Sequence, residues 1–289
     1  MSTVERRVLP ADAKPKPTTA LPRRRPPRTR PTVFTLRVPI SRRSVWILTI
    51  ASVLIPLVGW WALSVSGVVQ PANWLPTPAA TYAAGMEMAR SGELFDDAWA
   101  SIQRVLIGFG LAVLVSVPLG VLMGSFRSGW ALFEPILGLL RYLPAAAFIP
   151  LLIIWLGLDE APKVALIFIG SFFFNTLMTA DVVRGVPVAL IDVSYTLGAR
   201  SGEVIRKVII PHALPGMIDS VRVNAAAAWS FVVVAELIAS DSGLGYRINR
   251  LGRFQHIDGI FAVLVVIGLI GLAIDILLRV LRDRIGRWI

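Results

Sequence analysis

The chain is 289 residues long, 55% hydrophobic and only 16% charged, with a mean hydropathy of +0.70, where ordinary soluble domains carry roughly 25% charged residues. That balance excludes a large water-soluble globule and excludes disorder for most of the chain. The lack of cysteine excludes disulfides, thiolate metal sites, iron–sulfur clusters and a cysteine nucleophile.

In chain order, residues 1–44 hold 12 of the 29 Lys and Arg residues, among them Arg23, Arg24, Arg25, Arg28 and Arg30, together with eight prolines. Such a segment cannot bury enough apolar surface to offset its conformational entropy, so the reading is a disordered basic arm that orients the first span and touches anionic lipid. No aromatic residues interleave with the arginines, so nucleic acid is not an expected partner. Six apolar runs follow, each near the length that crosses about 30 Å of hydrocarbon: Val45–Leu63, Ile102–Gly124, Leu132–Gly157, Val164–Val182, Met217–Ala239 and Ile260–Leu278. All are expected to be helices, because unpaired backbone groups in lipid cost several kcal/mol each and the runs lack a barrel's alternation. The first reads as a retained helix rather than a signal sequence, its Trp60-Trp61 pair suiting an aromatic belt. Pro118, Pro135, Pro144 and Pro150 are expected to bend the second and third runs.

With the N-terminus inside, inner segments carry 21 Lys and Arg residues and outer ones 5, which places both termini in the cytoplasm. Small residues at Gly108, Gly110, Gly120, Gly124, Ala225 to Ala228, Gly268 and Gly271 predict close helix packing. The longest inner loop, 183–216, reads as two short helices, Val188–Leu197 and about Ser201–Ile210. Gly198 breaks them, Ser201 caps the second, and Pro211 stops it. It is either a docking knob or an amphipathic hairpin on the membrane surface.

Asp192-Val193-Ser194, three residues, Gly198, nine residues and Val208-Ile209-Ile210-Pro211 keep the spacing of the E-A-A-x3-G-x9-I-x-L-P motif. In this respect the chain resembles the permease subunits of binding-protein-dependent ABC importers over roughly residues 70–289. Finer features are similar to the nitrate, sulfonate, taurine and bicarbonate branch: Leu75-Pro76-Thr77-Pro78, Leu140-Arg141-Tyr142-Leu143-Pro144, Trp155-Leu156-Gly157-Leu158 and Ala235-Glu236-Leu237-Ile238. The resemblance implies an all-α membrane protein of six spans with the type I (MetI-like) importer fold, its permease domain being residues 45–289, in a bacterial inner membrane. It also implies that the 183–216 loop couples to a separate ATPase through Asp192, Val193, Ser194, Leu197, Gly198, Ala199, Glu203, Val208, Ile210 and Pro211. The partners it implies are two ATP-binding subunits, a second permease copy, and a periplasmic or lipid-anchored binding protein that selects the solute. ATP and Mg would sit on the partner, leaving no cofactor on this chain.

Independently of the resemblance, none of the four lysines follows a glycine, so no phosphate loop of the G-x-x-x-x-G-K-[ST] type exists. His212 and His256, the only histidines, fall on opposite sides of the membrane in this topology. No catalytic triad and no metal site is expected. Candidates for the translocation pathway are the polar residues in or near spans: Arg104, Arg141, Asn175 and Glu236. Arg141 is expected either to offer a bidentate site to an oxyanion or to pair with Glu236 or a helix end. Arg104 is expected to snorkel to the outer surface, and Asn175 to bond between helices. Two other classes stay open on the residues alone: a membrane scaffold that recruits a partner without passing solute, and a secondary transporter, the latter disfavoured by few intramembrane acids and no detectable inverted repeat.

Overall fold

The computed structural model describes residues 40–286 apart from 70, 72, 73 and 239, and every regular element among them is helical. The arginine cluster of the basic arm lies outside the described residues. Contacts divide the chain between Pro56 and Leu57, inside α1 (Arg42–Val65). In the first unit the described residues comprise only the start of α1. From Leu57 onward lies the second unit, in which the C-terminal part of α1 stacks Trp60 on Phe261 at 5.5 Å and donates the Trp60 Nε1 hydrogen to the Pro76 carbonyl at 2.9 Å.

The second unit continues with α2 (Pro78–Arg90), capped by the Thr77 hydroxyl, which accepts from the Ala80 N–H. After it come α3 (Glu93–Ser125), α4 (Arg127–Leu140), a 3-10 turn (Ala145–Phe148), α5 (Ile149–Leu156) and α6 (Glu160–Arg184). The chain then forms α7 (Val188–Thr196), α8 (Ser201–Val204), a π-helical turn (Ile205–Ile209), α9 (Ile210–Ile238), α10 (Leu244–Arg253) and α11 (Ile257–Ile285). Among the described residues, five helices are long and apolar enough to cross a membrane, or six segments if the bent α4–α5 pair counts as one.

The centre is a contact of α3 with α6, and α3 is built for it. Gly108, Ala112, Ser116, Gly120 and Gly124 recur every four residues, so they form one stripe on a helix. That stripe meets Ile167, Thr176, Thr179, Ala180 and Val183 so closely that a Cβ at Gly120 would stand 2.6 Å from the Thr179 Cβ. Without a hydrophobic driving force between helices in lipid, such close backbone approach supplies the dispersion contact that holds them together. α9 then packs its Ala228, Trp229 and Val232 against Val105 and Ile167, with Leu244 of α10 and Val263 of α11 closing the cluster.

The third run is sharply bent, as its prolines lead one to expect: α4 and the segment Ala145–Leu156 meet at 81°. Pro144 carries the break, because a proline disfavours the helical region for the residue before it, whereas Pro150 sits in the first turn of α5, where its missing N–H costs nothing. One expectation is corrected at Pro211, which does not stop the helix; α8, the π turn and α9 run on as one segment, Ser201–Ile238. In a regular helix the Pro211 ring would meet the Lys207 carbonyl and leave it without a donor. The wider turn over Ile205–Ile209 shifts the bonding, with the Ile210 N–H donating to the Ile205 carbonyl, and the proline is absorbed. Nor is Ser201 the cap: Arg200 holds that position, and its N–H donates to the Glu203 carboxylate at 3.0 Å.

Candidate functional site

Two arrangements stand out, one at each end of the bundle. At one end α7 projects with no buried residue, and its apolar side chains Val188, Val193 and Leu197 are open, Leu197 being 82% exposed. Gly198 ends α7 with φ +85°, a left-handed conformation that costs a non-glycine residue roughly 1–2 kcal/mol. The Gly198 N–H donates to the Tyr195 carbonyl at 2.9 Å and the Ala199 N–H to the Ser194 carbonyl at 3.0 Å, which completes a Schellman motif. The second arm is anchored. Val204 and Ile209 are buried with Val183, Val186, Ala213 and Met217, and Ala199, Val208 and Ile210 pack against them. The ten residues expected to couple therefore divide. Asp192, Val193, Leu197, Gly198 and Glu203 lie on the exposed side, while Ser194, Ala199, Val208, Ile210 and Pro211 are half-buried. Glu203 is further held by the Lys207 ammonium at 3.4 Å.

The other end holds a buried charge cluster. Arg104, expected to snorkel, is instead 3% exposed, and Glu236 is 1% exposed. Arg104 uses all five of its N–H donors: Nε to Glu160 Oε2 at 2.5 Å, Nη1 to Glu236 Oε1 at 2.7 Å and to the Ser242 carbonyl at 2.8 Å, and Nη2 to Glu160 Oε1 at 2.7 Å and Ser242 Oγ at 2.9 Å. The Ser101 hydroxyl and the Gly245 N–H also donate to Glu236, each bond 2.8 Å at its shortest. Beside them Arg247 donates to Asp97 at 2.6 Å and Glu93 at 2.5 Å, and the Gly243 N–H donates to Asp97 at 2.8 Å. The cluster thus ties α3, the start of α6, the end of α9 and α10 into one unit. Its members Asp97, Ser101, Glu160, Ser242 and Arg247 were not among the expected site residues. One signal was readable: Glu93, Asp97, Ser101 and Arg104 are spaced four, four and three apart, so a helix places them on one face.

The remaining candidates stand apart from that cluster. Asn175 is fully buried, donates to Ser116 Oγ at 2.5 Å and accepts from Asn224 Nδ2 at 3.4 Å, which links α3, α6 and α9. Arg141 does not pair with Glu236. It stands exposed at the break after α4, its Nη2 3.2 Å from the Tyr142 hydroxyl and its guanidinium 5.0 Å from that ring's centre.

An all-helical bundle with five or six apolar segments of spanning length among the described residues has the architecture of a multi-pass membrane protein. The family model for the binding-protein-dependent transport system inner membrane component matches residues 116–287. Among relatives, a permease named for aliphatic sulfonate transport, SsuC of Bacillus subtilis, is 34% identical over 86% of this chain and 90% of its own length. The taurine transport system permease protein TauC of Escherichia coli is 31% identical over 87% of this chain and 92% of its own. Among solved structures, an inward-facing MetNI methionine ABC transporter chain superimposes with a TM-score of 0.61 at 19% identity, covering 68% of this chain and 98% of that one. The chain belongs to the binding-protein-dependent transport system inner membrane component family: it is a multi-pass inner membrane permease of an ABC importer, not an enzyme.

Proposed function

We propose that this permease passes a small oxyanion, a sulfonate such as taurine first among them, with nitrate and bicarbonate the other members of the class, and that it does so by alternating access driven by a separate ATPase. The observation that carries the coupling reading is the α7–Gly198–α8 elbow. It offers Val193 and Leu197 to a partner on an arm that has no fully buried residue and packs only Ile191 against the bundle, while its second arm continues into α9. A push on α7 is thereby transmitted along a rigid segment towards Glu236. The partners in this reading are two ATP-binding subunits that hold ATP and Mg, a second copy of this chain, and an outer binding protein that selects the solute. The second copy is supported by small residues left open within one chain: a Cβ at Gly110, Gly268 or Gly271 would meet nothing within 4 Å. Both termini are cytoplasmic in this reading, on the Lys and Arg bias of the loops.

Arg141 is the pathway residue this reading favours. Arg104, Glu236 and Asn175 spend their polar atoms on neighbouring helices, whereas Arg141 keeps most of its guanidinium donors open at the bend, in the fork geometry that suits an oxyanion. In proteoliposomes holding the assembled importer, Arg141→Gln is expected to raise the KM for taurine about tenfold, the equivalent of about 1.4 kcal/mol. ATP-independent uptake, or an unchanged KM, would contradict the reading.

A further inference from the structure

On the α7 side of the bundle, next to the elbow, lies a cavity of about 470 Å³ lined by Gly124, Ser125, Phe126, Arg127, Trp130 and Arg184. Three features give it a chemical character. Neither Arg127 nor Arg184 has an ion-pair partner among the described residues. The Arg184 guanidinium stacks over Trp130 at 4.1 Å, a contact that fixes the plane of the fork and leaves its edge N–H groups free. The Ser125 hydroxyl is shielded from solvent and has no hydrogen-bond partner, a condition that costs about 1–3 kcal/mol unless something bonds to it. The first turn of α4 adds no acidic residue to this charge. A site with two unopposed guanidiniums and an orphaned hydroxyl takes a phosphate oxyanion.

What lies beside the site decides where the phosphate comes from. Phe126 at its rim and Leu132, Ile136 and Leu139 along α4 are all exposed apolar side chains, a surface that acyl chains cover and a soluble anion leaves bare. We propose that Arg127, Arg184 and Ser125 bind the phosphodiester of an anionic phospholipid. Its headgroup bridges the start of α4 to the last turn of α6, four residues before the coupling helix α7 begins. The lipid then holds the root of the elbow. Which leaflet supplies it rests on the cytoplasmic placement proposed above; the binding itself does not.

Native mass spectrometry of the full chain in a non-ionic detergent tests this without any transport assay. Dioleoyl phosphatidylglycerol is expected to be retained by the wild type, and retention is expected to fall at least tenfold in Arg127→Gln/Arg184→Gln. It should stay unchanged in Arg90→Gln, an exposed arginine of α2. Dioleoyl phosphatidylcholine should be retained at least tenfold less, and inorganic phosphate at millimolar concentration should not displace the phosphatidylglycerol. Equal retention of the two lipids, equal retention by the double variant, or displacement by inorganic phosphate would each overturn the proposal. Because the readout involves no ATPase, failure of the coupling reading leaves these results as they stand.

Discussion

Replacing Arg104 with methionine is expected to cost about 3–5 kcal/mol of stability, the range for breaking a buried ion pair by removing one partner. The expectation rests on what stays behind. Glu236, 1% exposed, would keep only the Ser101 hydroxyl and the Gly245 N–H as donors, and its negative charge would lose the cation that offsets its desolvation. The Ser242 hydroxyl would lose its Arg104 donor and the Ser242 carbonyl would keep only the Ser240 hydroxyl, so the turn leading into α10 should loosen with it. Arg104→Lys is expected to recover little. A single ammonium cannot reproduce five N–H bonds aimed at Glu160, Glu236 and Ser242. The double change Arg104→Met with Glu236→Gln should cost less than the sum of the two singles, since no uncompensated buried charge remains. Thermal unfolding of the detergent-solubilised chain reads all four. A loss under about 1 kcal/mol for Arg104→Met would mean that this cluster does not hold the ends of α3, α6 and α9 together.

Gly198→Pro should act in the opposite manner, abolishing transport while sparing the fold. Proline is fixed near φ −65°, and Gly198 sits at +85°; proline also removes the N–H that donates to Tyr195. The Schellman turn cannot form, so α7 leaves α8 in a different direction. Since α7 has no fully buried residue and packs only Ile191 against the bundle, the thermal midpoint should change little, whereas ATP-driven uptake should fall at least a hundredfold. Gly198→Ala, facing only the left-handed cost of roughly 1–2 kcal/mol, should lose activity partially. Uptake that survives Gly198→Pro would remove the elbow from the energy path.

The helical class, the spans and the elbow were legible in the sequence because each depends on local properties. Run length set the spans, a lone glycine between two short helical patterns set the elbow, and the glycines along the second run announced close helix packing without naming α6 as the partner. What escaped was decided between segments. Pro144 and Pro150 look alike in the sequence, but one breaks the third run and the other starts a new helix. Pro211 reads as a stop because a π turn upstream is not written in any single residue. Arg104 has the position of a snorkelling residue, and only the return of α9 and the turn after it bring Glu236 and Ser242 within reach. Arg247 was counted among loop charges for the same reason: its partners Asp97 and Glu93 lie about 150 positions away.

What touches the exposed tip of the elbow decides whether α7 is the coupling element. A photo-activatable cross-linker placed at Leu197, 82% exposed, with a second at Phe254 at the opposite end of the bundle as a control, would be activated in membranes containing the assembled importer. The expected result is a covalent adduct between the Leu197 position and the nucleotide-hydrolysing subunit, its yield changing with added ATP, and no such adduct from Phe254. Adducts from Leu197 with lipid alone, in membranes that still import solute when given ATP, would contradict the account.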